Sequence, residues 1–60
     1  MVTITAQLSD EAAQALAQFL KRVGFVEWRQ NSVNEEEAYL MREGCDTIAK
    51  ALADAGYDPR

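Results

Sequence analysis

Three consecutive glutamates (Glu35, Glu36 and Glu37), a single cysteine (Cys45) and no histidine form the obvious reactive inventory of this 60-residue chain. General acid–base chemistry needs two groups that converge on one substrate. Three successive residues on a helix instead fan over about 200°, so the glutamates do not read as a catalytic pair. One cysteine without histidine provides neither an internal disulfide nor a zinc set, and there is no glycine-rich phosphate loop. No enzyme activity, metal or cofactor is therefore expected. Cys45 falls on an apolar stripe and reads as a small buried hydrophobe rather than a nucleophile.

Two other groups of residues carry recognition chemistry. Phe25 and Trp28 are three apart, so a turn or two of helix places them on one side with Glu27 and Arg29 around them. They could close the end of a small core, but an aromatic pair beside an arginine is also the composition of an interface hot spot. Phe25, Trp28 and Arg29 are accordingly the candidate partner-binding residues. The second group is Thr3, Thr5 and Gln7, whose size and polarity suit strand residues that read base edges in a DNA major groove.

The elements that must position these groups are legible from period and punctuation. Residues 34–55 predict one long amphipathic helix. Ala38, Met41, Cys45, Ile48, Leu52 and Ala55 recur at steps of three and four. Asn34 is its N-cap, with Glu37 expected to return a bond to the Asn34 amide, and Ser32 with Glu35 is a second candidate capping box. The three glutamates suit the positive end of the helix dipole. Gly56 is placed to take the left-handed conformation after the last turn, Tyr57 to fold back, and Pro59 to prevent continuation. Arg42, Asp46, Lys50 and Asp54 form a row of alternating charge on the solvated face.

A second helix is expected over residues 10–23, capped by Ser9, with Asp10 and Glu11 in its first turn and Leu8 placed to staple against Ala13. Its stripe reads as Ala12, Leu16, Phe19 and Val23, widened by Ala13 and Leu20. The phase breaks after it: Phe25 would lie about 180° from Leu16 on an unbent helix at 100° per residue. Gly24 thus predicts a stop or a kink, with residues 25–31 a short helix or turn. At the start, Val2, Ile4, Ala6 and Leu8 alternate with Thr3, Thr5 and Gln7, predicting a half-buried strand over residues 2–8. No second strand follows. An isolated strand leaves its amides and carbonyls unpaired, so pairing with a second copy across a two-fold axis is expected.

The fold class is therefore mainly α: one short N-terminal β-strand followed by two or three helices, in a single domain spanning 1–60, with the strand paired across a homodimer. A chain this short buries only about 60% of its unfolded surface and needs a staple. Self-association is the one left. Ten acidic against six basic residues give a net charge of −4, which argues against non-specific nucleic-acid binding. No apolar run is long enough for a membrane span and no signal peptide is apparent, so a cytoplasmic protein is expected.

Two resemblances accompany this reading. The strand, capped helix and second helix resemble ribbon-helix-helix repressors over the first 23 residues, which implies DNA reading by Thr3, Thr5 and Gln7. Beyond that point nine extra residues intervene, and three glutamates crowd the helix N-terminus that would meet phosphate. From ITAQLS through FLKRV and EEAYLM to ALADAGYDPR, the chain also resembles small uncharacterised bacterial proteins, often associated with phages and other mobile elements, that end in AGY-x-PR. That resemblance implies a small accessory or regulatory role and assigns no residue to it. The leading expectation is a protein interaction or regulatory module with an unknown protein partner; a ribbon-helix-helix-type repressor is the alternative.

Overall fold

In the computed structural model, which describes residues 1–58, an extended N-terminal segment leads into three helices: α1 (Asp10–Arg22), α2 (Phe25–Gln30) and α3 (Glu35–Asp54). Helix α3 is the hub, touching both α1 and α2. The expectations about Pro59 and the end of the AGY-x-PR tail lie outside the described residues.

Each helix begins where its side chains can satisfy orphan amides. The Ser9 hydroxyl accepts from the Ala12 amide at 3.1 Å, and Val23 turns extended to end α1. Gly24 marks a stop, as its phase break implies, and then serves as the N-cap of α2. Its amide donates to the Glu27 carboxylate at 3.2 Å. The Asn34 side chain accepts from the Glu37 amide at 2.8 Å. The reciprocal bond is displaced by one residue from the expected box: Glu37 Oε1 receives the Val33 amide, not that of Asn34. Ser32 does not box with Glu35, because its hydroxyl donates to the Arg29 carbonyl at the end of α2.

The far end of α3 closes as a Schellman motif. The Tyr57 amide donates to the Leu52 carbonyl at 2.8 Å and the Gly56 amide to that of Ala53 at 3.0 Å. Gly56 has φ 103°, a left-handed conformation that a side chain would strain.

Two expectations are corrected here. First, no strand forms: among the described residues, 1–9 carry no regular secondary structure. The alternating sequence is extended-prone, but a ladder needs a second strand and the rest of the described chain is helix and turn. Second, the expected stripe of α1 is met in part: Ala13, Leu16, Leu20 and Val23 lie inward as read, but the face is turned by about 40° toward Ala17, away from Ala12 and Phe19. Ala13 and Ala17 are its buried residues, flanked by the half-buried Leu16, Leu20 and Val23. Phe19 stays 58% exposed, and Ala12 is exposed too. Small side chains let helix axes approach closely, so the crossing follows the alanine ridge and leaves the larger phenylalanine outside. On α3 the expected stripe is half right in the same sense. Ala38 is buried and Met41, Cys45 and Leu52 half-buried, whereas Ile48 and Ala55 are exposed.

Candidate functional site

The aromatic corner is built by α2 and the first turns of α3. Glu27 fixes the start of α2 through Gly24, and the Asn31 side chain closes its end by donating to the Glu27 carbonyl at 2.8 Å. On this short frame Phe25 leans on Tyr39 of α3, with ring centroids 5.2 Å apart and planes at 41°, a tilted aromatic contact. Phe25 nevertheless remains 39% exposed, with Val26 at 65% and Tyr39 at 51%. Arg29 is exposed. Trp28 is different. Its ring is half-buried and its indole Nε1 is buried without a hydrogen-bond acceptor. The corner therefore has an outer part, Phe25 with Val26 and Tyr39, and an inner part, the half-buried Trp28. Tyr39 and Val26 were not singled out by sequence. The available signal was an aromatic on α3 lying outside its apolar stripe.

A second apolar feature lies at the other end of the molecule. Ile4, Ala6 and Leu8 of the extended segment line an open groove with Leu16 of α1 and Ile48, Ala51, Leu52 and Ala55 of α3, enclosing about 360 Å³. The alternation seen in the sequence thus survives in space without a strand. Ile4, Ala6 and Leu8 of the apolar set line the groove, whereas Val2, Thr3, Thr5 and Gln7 are exposed and take no part in the lining. Coverage is shallow: Ile4 is 73% and Leu8 51% exposed.

Beside this groove the Tyr57 hydroxyl donates to Asp10 Oδ1, joining the turn after α3 to the start of α1. That hydrogen bond, with partial burial and the carboxylate's charge, raises the Tyr57 pKa above its usual 10.0. The charged row on α3 forms as spaced, with Arg42–Asp46 at 3.8 Å and Lys50–Asp54 at 3.4 Å; exposed pairs of this kind contribute little. Among the described residues no cluster of three or more Asp, Glu or Cys side chains could hold a metal ion, and no helix is long and apolar enough to cross a membrane.

These features define a small, mainly helical protein with two open apolar surfaces. The chain belongs to the family of unknown function DUF7706, whose model matches residues 1–60. Comparison with curated proteins and with solved structures gave no match.

Proposed function

We propose that this protein is a non-enzymatic interaction module. It works as a homodimer and offers the α2 corner to a protein partner in a regulatory or accessory role, such as those of phages and mobile elements. One observation carries the reading. The buried hydrophobic side chains among the described residues are Ala13, Ala17 and Ala38, while Val2, Ile4, Phe19, Val26, Val33 and Leu40 are each more than half exposed. Apolar surface contributes about 25 cal/mol per Å² when removed from water. Here much of that contribution is unrealised within one chain, which favours cover from outside.

In the dimer, residues 2–8 of two copies pair as antiparallel strands. Among the described residues these positions make no backbone–backbone hydrogen bond, so a second copy satisfies both sets at once. The segment also has no charged side chain, and two acidic chains meet there without direct like-charge contact. A Thr5→Cys, Cys45→Ala variant checks this arrangement, because a centrally paired residue brings its Cα within disulfide reach of its own copy. Oxidation should give a covalent dimer.

The corner is tested by isolating the protein that the tagged chain retains from its host's extract, producing it separately and titrating it by calorimetry. Phe25→Ala should weaken binding by about 2 kcal/mol, the scale of a hot-spot aromatic, and Arg29→Ala should weaken it less, with the helical content of both variants unchanged. The alternative, a repressor reading DNA, is favoured by the outward polar trio alone. Sequence-specific duplex binding that disappears when Thr3, Thr5 and Gln7 are replaced by alanine would establish that alternative instead.

A further inference from the structure

Helix α3 carries more apolar surface than its own chain covers. Counting 100° per residue from Leu40, the residues packed inward run from Met41 at about 100° to Ala49 at about 180°. A neighbouring arc over residues 40–55, from Leu40 through Ala51, Gly44 and Ala55 to Ile48 at about 80°, holds no charged residue and is exposed throughout; Glu37, one turn earlier at about 60°, lies beyond its N-terminal end and turns its carboxylate back to the Val33 amide. Leu40 is 60% and Ile48 37% exposed. Three members of this arc, Ile48, Ala51 and Ala55, also line the groove beneath the N-terminal segment, so the open arc and the groove are one continuous surface.

Gly44 is the odd residue in this arc. Glycine in a helix interior destabilises relative to alanine, and here nothing lies within 4 Å of the position its Cβ would occupy. Its own chain gives no packing reason for a glycine there. Close approach of another backbone does.

The geometry points to a second copy of this chain lying on that arc, α3 against α3 and antiparallel, about a two-fold axis beside Thr47 and Ile48. This deepens, and rests on, the homodimer reading above. A two-fold contact must be self-complementary, and this one is. It sets Leu40 against Ala55 of the second copy and Gly44 against Ala51, a large side chain facing a small one and two small ones facing each other, as close helix packing requires. Because the arc runs into the groove, the contact is continuous with the paired N-terminal segments. The flanking charges of the row Arg42, Asp46, Lys50 and Asp54 remain at the rim or in solvent.

The test uses the full chain at micromolar concentration. Light scattering should give a mass near twice 6.7 kDa. Ile48→Glu and Gly44→Gln should each shift it to the monomer while the helical circular dichroism is retained, since Gly44 is open in the single chain and Ile48 only lines the open groove. In a Cys45→Ala background, Leu40→Cys combined with a cysteine at the α3 C-cap, Ala55→Cys, should give a covalent dimer on oxidation, and neither substitution alone should. Fifteen residues of helix separate these positions by about 22 Å, which forbids a bridge within one chain. A monomeric wild type overturns the homodimer reading and this contact with it. A wild-type dimer that survives Ile48→Glu and Gly44→Gln and gives no covalent product overturns the α3 contact alone.

Discussion

Tyr57 acquires a role that its sequence position did not suggest beyond folding over the last turn of α3. The Schellman turn at Gly56 brings its amide to the Leu52 carbonyl, and its hydroxyl then reaches Asp10 at the start of α1. This one side chain therefore ties together the first turn of α1 and the end of α3. The bond is kept only while the phenol holds its proton, and the folded-state pKa is raised. Above the unfolded value near 10.0, the folded state binds more protons than the unfolded one, so stability falls as pH rises. The contribution is fully present below that value and is lost as pH climbs through the higher folded one. Tyr57→Phe should lower the melting temperature at neutral pH and flatten its decline in alkali. Subtracting the variant's tyrosinate absorbance titration from the wild type's should isolate a phenol titrating above the ordinary value. Identical alkaline melting profiles would remove the link.

At the scale of elements, the caps carry testable weight because a short chain cannot rely on its core. Asn34→Ala deprives the Glu37 amide of its acceptor and should cost about 1 kcal/mol. Gly56→Ala must place a side chain at φ 103° and should cost about 1 kcal/mol; both are measurable by urea unfolding. These ends were legible in the sequence because capping is local: Ser9, Asn34 and Gly56 act within three or four residues of themselves. The break at Gly24 was legible for the same reason. What was not legible depended on a second surface. Ala17 was passed over and Phe19 taken as a core residue in a reading that weights side chains by size, yet at a helix crossing smallness decides the close approach. Likewise Val2, Ile4, Ala6 and Leu8 show strand periodicity, but period cannot supply the partner that makes a strand. At the aromatic corner the spacing of Phe25 and Trp28 was readable, whereas their division into an outer ring resting on Tyr39 and an inner, half-buried indole required the position of α3.

For the whole molecule, charge separates the readings that geometry leaves side by side. Each chain carries −4, so two copies repel at long range even though the proposed contact itself contains no ionised side chain. Salt screens that repulsion, with a Debye length of about 30 Å at 0.01 M falling to about 8 Å at 0.15 M. Burial of apolar surface is not weakened by this change. Dimer affinity, followed by analytical ultracentrifugation, should therefore rise as sodium chloride increases across that range. Binding to duplex DNA has the opposite dependence, because counterions released from the phosphates make affinity fall steeply with salt. An association held by ion pairs across the interface would also weaken. A homodimer that tightens with salt, with duplex binding undetectable at 0.15 M, is the outcome expected of apolar faces on an acidic chain. Dissociation on adding salt would instead place charged groups in the contact and contradict a dimer built on Leu40, Gly44 and Ile48.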